Sequence, residues 1–373
     1  MKASYQRSTL LRVAYSIIAV IVLLNVVIYA TNLKWLRKDF IPTNKGLYRQ
    51  FSTEFSKENS PTTKTRILSS GSSFNSSHDV IEKRFEERLV NVVTMCERRG
   101  IDYKQNWEKL KNSGRITGNF VASYDHRAMI CLVLKAGSQT WNNIFWRIRS
   151  PDQAKKYGFY EKAETSQRQA FYDLSLDKKM ELLKDDDAVR IMSVRHPLAR
   201  MISGWGNKFN KRYFYYLWFK QYPGMLRYPN KYSKWRGERD GYFMEFVDFA
   251  EYVADYGTVS LENLDQHFKP ILSHCDPCKF PFNFITRLET FYTDARWITE
   301  NKLNVSANVI SPVNVINKSK DPALLIKDYF SQLKPDVIER ILSIYKVDME
   351  TFGYTFNTTT LTAGGWEKET SLT

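Results

Sequence analysis

The chain has 373 residues, of which 43% are hydrophobic and 25% charged, with a formal net charge of +15 and a pI near 9.4. That length buries a full core as one large or two small domains. The charge argues against polycationic partners and for polyanions, whether nucleic acid, anionic lipid, nucleotides or acidic polysaccharide, without choosing among them.

In chain order, the first feature is an apolar run from Val13 to Ala30, interrupted only by Tyr15, Ser16, Asn25 and Tyr29. It sits near the lower limit of about 18 residues for spanning hydrocarbon. Lys2, Arg7 and Arg12 precede it. The sequence therefore predicts a cytoplasmic tail over 1–12 and a signal-anchor transmembrane helix over 13–31, although Lys34, Arg37 and Lys38 on the far side weaken the charge asymmetry. A cleaved signal peptide is the competing reading; Ile28-Tyr29-Ala30 is a poor cleavage site and the run is long for one. Residues 32–78, rich in Ser, Thr, Lys and Asn, read as a luminal stem. Behind such an anchor a nucleic-acid partner is not expected.

Four N-x-[ST] sequons, at Asn75, Asn304, Asn317 and Asn357, follow the anchor and would all be luminal glycosylation sites. Cys96, Cys131, Cys275 and Cys278 are an even number in a compartment that permits disulfides, with three pairings open. Cys275 and Cys278 also read as half of a zinc site, whose second half is missing.

A folded domain is predicted over 79–357, with a flexible tail over 358–373. Ile81, Phe85, Leu89, Val92 and Cys96 recur at helical spacing up to Gly100. Met129 to Leu134 reads as a buried strand. It runs into Lys135-Ala136-Gly137-Ser138-Gln139-Thr140 and then a helix carrying Trp141, Ile144, Phe145 and Ile148. A second strand, Ala188 to Val194, feeds Arg195-His196-Pro197 and a helix with Leu198, Met201, Ile202 and Trp205. Two strand–turn–helix units about sixty residues apart predict an α/β fold with a mostly parallel central sheet flanked by helices, and ligands beyond the strands' carboxyl ends. Further elements are expected at Tyr242 to Tyr256 (helix), Phe280 to Glu289 (strand), Ala323 to Leu333 and Pro335 to Tyr345 (helices).

Both turns suit anions. Gly137 lets the backbone approach a ligand, the helix start at Ser138 to Thr140 supplies amides and a dipole, and Lys135 adds charge. Arg195 offers a guanidinium fork and Ser203 a hydroxyl eight residues on, able to converge on one phosphate; the alternative is an ion pair between Arg195 and the Asp185–Asp187 run. Between Asn207 and Arg239 stand nine Lys or Arg, one acid and eleven aromatics. That stretch, with Lys208, Lys211, Arg212, Trp218 and Trp235, reads either as a groove for an anionic sugar chain or as a packing segment with snorkelling lysines.

Together, Lys135-x-Gly137-Ser138-x-Thr140-Trp141 and Arg195-x-Pro197 with Ser203 resemble the nucleotide-gripping motifs of Golgi membrane-bound carbohydrate sulfotransferases, the chondroitin 4-O and HNK-1 group. The resemblance extends from Ile81 to Phe356 and includes Cys96, Asp125-His126-Arg127, Cys275-x-x-Cys278, Glu289-Thr290 and Phe352-Gly353-Tyr354. It implies a P-loop-like sulfotransferase fold and 3′-phosphoadenosine 5′-phosphosulfate as donor, with no metal. Lys135 and the amides of Gly137, Ser138, Gln139 and Thr140 would hold the 5′-phosphosulfate, Arg195 and Ser203 the 3′-phosphate, and Trp141 would lie against the adenine. A glycosaminoglycan or glycoprotein glycan is the implied acceptor, with N-acetylgalactosamine of chondroitin-type chains foremost, in a single-pass type II protein of the Golgi membrane. The group's loop usually reads Lys-Val-Gly-Cys-Thr-Asn-Trp, so Ser138, Gln139 and Thr140 depart from it.

No histidine lies between Trp141 and Arg190, where cytosolic sulfotransferases carry their base. Asp125, His126, Glu161 and Glu164 remain, with His126 and Asp125 ranked first because they precede the strand leading to the loop; His196 reads as a buttress of the Arg195 turn, and Lys318 and Lys320 as further phosphate contacts. Two other classes compete. A type II glycosyltransferase would share the anchor and glycans and use Asp185-Asp186-Asp187 for a metal, but those acids precede their strand. A tethered glycan-binding protein would leave both anion turns unexplained.

Overall fold

The computed structural model describes residues 77–113, 119–152, 171, 173–210, 234–235, 242–261, 264–310 and 321–367. The expected tail and signal anchor and nearly all of the stem lie outside these residues, as do Asn75, Glu161, Glu164, Lys211, Arg212, Trp218, Asn317, Lys318, Lys320 and the side chain of Trp235. No helix among the described residues is long and apolar enough to cross a membrane.

Nine helices are used below: α1 (Ser77–Arg98), α2 (Tyr103–Ser113), α3 (Ser138–Arg149), α4 (Leu176–Lys184), α5 (Pro197–Lys208), α6 (Phe246–Gly257), α7 (Phe291–Asn301), α8 (Pro322–Phe330) and α9 (Pro335–Phe352). The central sheet consists of β1 (Phe120–Ser123), β2 (Ala128–Cys131), β3 (Val189–Val194) and β4 (Phe284–Arg287), in that spatial order. β1 is antiparallel to β2, and β2, β3 and β4 run parallel, with Ile130 opposite Ile191 and Met192 opposite Ile285. Every residue of β2 and β3 is buried, as expected of parallel strands covered on both faces.

The two faces can be read from the alternation along a strand. Ala128 and Ile130 point into one cluster with Trp141, Ile144 and Phe145 of α3 and Phe291 and Ile298 of α7. Met129 and Cys131 point into the other, with Leu198, Met201 and Ile202 of α5, Phe249 and Val253 of α6 and Ile341 of α9. α3 and α5 are the first helices of the two crossovers, so each starts beyond the carboxyl end of its strand.

Several boundaries shift. The ladder of β2 ends at Cys131, three residues before the expected end; Leu132 and Val133 follow outside it, and the turn begins at Leu134. α6 starts at Phe246; Tyr242–Phe243 instead pairs with Lys234–Trp235. α9 runs past Tyr345 to Phe352 and stops at Gly353, whose φ of 69° suits glycine. The expected flexible tail is corrected in its first part. Strands β5 (Thr355–Asn357) and β6 (Thr362–Gly364) form a hairpin, and Glu367 pairs with Arg88 and Arg287 at 3.0 and 3.2 Å. Both arginines are buried and require a carboxylate, which a polar sequence at the chain's end supplies.

The cysteines pair as Cys96–Cys278 and Cys131–Cys275, which uses all four. The C-x-x-C is therefore no half-site for zinc: one of its thiols ties α1, the other the end of β2, to the segment before β4.

Candidate functional site

Lys135 and Gly137 both adopt left-handed backbone, with φ of 68° and 84°. Glycine does this at little cost, but a lysine there is strained by roughly 1–2 kcal/mol. A Cβ on Gly137 would come within 2.9 Å of the Phe291 ring. The resulting turn leads into α3, whose first rung runs from Trp141 N to Gly137 O. The amides of Ser138, Gln139 and Thr140 precede that rung and point out of the helix start, where its dipole favours an anion.

What turns the loop this way is the second motif. Arg200 Nη1 donates to Leu134 O at 3.2 Å, Arg195 Nη1 to Lys135 O at 3.3 Å and Ser193 Oγ to Ala136 O at 2.6 Å. Three successive carbonyls are thus held by side chains of β3, of α5 and of the turn between them. Ala136 N closes the turn onto Val133 O, and the amides left for a ligand are those that precede the first rung of α3.

Arg195 lies at the carboxyl end of β3, half-buried, not among the Asp185–Asp187 carboxylates. Burial lowers its pKa, and nearby Glu289 opposes that shift. Glu289, just past β4, accepts from His196 N at 2.9 Å and from the Tyr354 hydroxyl at 3.0 Å. His196 caps α5: its Nδ1 accepts from Leu198 N, its Nε2 donates to Thr355 O at 3.2 Å, and burial pushes its pKa down to about 4. A neutral, fully enclosed imidazole is a buttress, as the sequence suggested. Ser203 sits half-buried one helical turn beyond Arg200 on α5.

Lys208, in the last turn of α5, is also half-buried, and its charge acts on His267, as does that of Lys135. His267 belongs to the segment between α6 and β4 and was not singled out as a site residue from sequence. Arg200 Nη1, which holds Leu134 O, donates to His267 O as well, at 3.1 Å. His267 Nδ1 lies 2.5 Å from Oδ1 of the buried Asp265.

Two expectations fail on geometry. Trp141 is fully enclosed, with its ring against Phe145 and Phe291, so it cannot stack on an adenine. Asp125 and His126 lie in the turn between β1 and β2, before the amino end of β2, whereas Lys135 and Arg195 lie past the carboxyl ends of β2 and β3. The length of the sheet separates them from the loop. His126 Nδ1 is bonded to Ser123 Oγ at 2.9 Å, and next to it Arg127 pairs with Asp185, which places the acidic run at that same distant edge.

Asn304 and Asn357 are exposed, although Asn357 Oδ1 accepts from the amides of Thr359 and Thr360. Among the described residues no group of His, Cys, Asp and Glu is arranged to hold a metal ion.

Residues 118–355 match the profile of the Sulfotransferase family. Carbohydrate sulfotransferase 11 of Danio rerio is 21% identical over 239 residues, covering 63% of this chain and 67% of that protein. Carbohydrate sulfotransferase 10 of Xenopus laevis is 26% identical over 246 residues, covering 61% and 65%, and carbohydrate sulfotransferase 14 of Danio rerio 25% identical over 239 residues, covering 63% and 62%. The matches thus span about two thirds of the relatives' own length. No solved structure matches the chain significantly.

Proposed function

Because this chain belongs to the sulfotransferase family, we propose that it transfers a sulfuryl group from 3′-phosphoadenosine 5′-phosphosulfate to a hydroxyl of a glycan. The observation that carries the reading is the clasp between the motifs: Arg195 and Arg200 hold the carbonyls of Lys135 and Leu134, so two cationic turns form one cradle at the carboxyl edge of the sheet. Donor sets of amides, lysine and arginine suit phosphate and sulfate oxygens without a metal.

In this reading the amides of Gly137 to Thr140 and the ammonium of Lys135 bind the 5′ end, and Arg195 with Ser203 the 3′-phosphate. The donor supplies an activated sulfuryl group on a bridging oxygen. Lys135 neutralises the charge that develops on that oxygen as its bond to sulfur lengthens, which is where a preorganised cation lowers the barrier most. Lys208, with Lys211, Arg212, Trp218 and Trp235 from the basic aromatic stretch, would receive an anionic sugar chain.

The acceptor proposed is N-acetylgalactosamine of a chondroitin-type chain, at its 4- or 6-hydroxyl, which the resemblance to the chondroitin 4-O group and the basic stretch support. The apolar run over 13–31 and the sequons support a luminal domain on a Golgi signal anchor, with glycans at Asn75, Asn304, Asn317 and Asn357. The test is to incubate the full-length protein with sulfur-labelled donor and a panel of desulfated glycans in the presence of a chelator. Label is expected in the chondroitin fraction, with release of adenosine 3′,5′-bisphosphate. Manganese-dependent transfer from a UDP-sugar instead would exclude the reading.

A further inference from the structure

The segment between α6 and β4 is fixed with unusual completeness at one histidine. His267 O is held by Arg200 Nη1, the nitrogen that also holds Leu134 O of the loop. Phe268 O accepts from the Tyr345 hydroxyl at 2.5 Å, and the amides of Ile271 and Leu272 both donate to the buried Asp348 carboxylate. Cys275 ties the segment to Cys131 at the end of β2. On α5, a Cβ at Gly204 would lie 3.0 Å from His267 O, so the glycine permits this close approach. The backbone at His267 is thereby locked to the loop that carries Lys135.

The side chain is oriented as well. Asp265 is 2% exposed, and its Oδ1 accepts from His267 N at 2.8 Å while facing His267 Nδ1 at 2.5 Å. A carboxylate there fixes the proton on Nδ1 and leaves the lone pair of the neutral ring on Nε2. The charged groups acting on the ring are Asp265, which favours its protonated form, and Lys208 and Lys135, which oppose it. Burial first, and then the two lysines, lower its pKa against the pull of Asp265. The result is an imidazole that is unprotonated at neutral pH, on a backbone that shares Arg200 with the loop carrying the cation assigned to the leaving oxygen.

We propose that His267, held in one tautomer by Asp265, is the general base that removes the proton from the acceptor hydroxyl. This rests on the sulfuryl-transfer reading. As the acceptor oxygen bonds to sulfur, its proton passes to Nε2 of His267. The bond from sulfur to the bridging phosphate oxygen breaks, its electron pair leaves with adenosine 3′,5′-bisphosphate, and Lys135 neutralises that oxygen. The imidazolium returns its proton to solvent, and the products are the sulfate ester and the bisphosphate. Arg200, which touches both the loop and the histidine's backbone, is a positioning residue.

Full-length protein carrying His267→Gln, His267→Ala or Asp265→Asn would be compared with the wild type in three ways. Calorimetric binding of adenosine 3′,5′-bisphosphate is expected to stay within about threefold in all three, which also reports that they fold. Transfer to the desulfated glycan panel is expected to fall about 10²- to 10⁴-fold in kcat for the histidine variants, with partial rescue of His267→Ala by added imidazole. Nitrogen NMR of the wild type should show His267 protonated on Nδ1 and bare on Nε2 at neutral pH. His267→Gln with kcat within threefold of wild type, or the opposite tautomer, overturns the assignment while leaving sulfuryl transfer standing. A wild-type protein that binds no adenosine 3′,5′-bisphosphate overturns the parent reading, and this assignment with it.

Discussion

Arg195 donates from its guanidinium to the main-chain carbonyl of Lys135 at 3.3 Å. The two motifs are therefore one structure: the residue assigned to the 3′-phosphate also sets the conformation of the turn assigned to the 5′ end. Arg195→Lys keeps a charge but loses the fork that serves both. Charge-assisted bonds to such groups are worth about 1.5–3 kcal/mol, so affinity for adenosine 3′,5′-bisphosphate is expected to fall between about tenfold and a hundredfold. Titration calorimetry checks this. Affinity unchanged by Arg195→Lys would remove the arginine from the donor site.

Lys135→Gly separates stability from function at one position. The main chain there has φ of 68°, which costs a non-glycine residue roughly 1–2 kcal/mol and glycine little. The variant is expected to melt at a higher temperature than wild type by a few degrees while its transfer rate falls about a hundredfold or more, through loss of the ammonium. Scanning calorimetry beside a transfer assay tests both halves. A lower melting temperature would mean that the lysine side chain, and not its backbone, governs stability here.

Gly137→Ala should do harm on both counts. At φ of 84° a Cβ is strained, and it would meet the Phe291 ring at 2.9 Å. Since Phe291 packs on Trp141 at the start of α3, yielding would disturb the helix end that presents the amides. A loss of about 1–3 kcal/mol in stability and at least tenfold in bisphosphate affinity is expected, read by denaturant melts and calorimetry.

Local signals carried much of this site. The lysine before a glycine, the arginine before His-Pro, and a buried apolar run ahead of each were legible because strand, turn and helix start are consecutive in sequence. His267 was not legible in that way, since its link to the loop that carries Lys135 depends on a disulfide spanning 144 positions and on Arg200 reaching two carbonyls 67 residues and 66 residues away. Trp141 misled for a related reason: the helix phase points it inward, onto α7, whose packing no local pattern reveals. Asp125 and His126 precede the right strand but lie at its wrong end, an error that strand direction alone would have corrected.

The two disulfides should differ in what their loss does. Cys131–Cys275 joins the end of β2 to the segment bearing Asp265 and His267, whereas Cys96–Cys278 joins α1 to it eleven residues beyond His267. Each should cost about 2–5 kcal/mol when replaced by paired alanines. The Cys131–Cys275 replacement is expected to lower kcat at temperatures well below its melting point, and the Cys96–Cys278 replacement to leave kcat near wild type there. Equal kcat in both variants would count against a precise role for the segment.

His196 should make the fold acid-sensitive. Its imidazole titrates near 6.5 when the chain is unfolded and is pushed down to about 4 in the buried cap of α5. Between those values the unfolded chain binds the extra proton, so stability rises with pH, is fully present above about 6.5, and is lost as pH falls toward 4. At 1.36 kcal/mol for each pH unit the linkage is on the order of 3 kcal/mol. His274, lowered to about 3, has the same sign, while Asp348, raised to about 6, has the opposite one between about 4 and 6. A comparison of variants cancels both. His196→Asn keeps a side chain able to cap the helix. It is expected to lose less stability than wild type between pH 7 and pH 4.5, even though it starts lower at pH 7 for want of the bond to Thr355 O. Urea melts at the two pH values measure this. Parallel losses in both proteins would mean that His196 is already protonated in the fold, and that the cap of α5 beside Arg195 carries a charge.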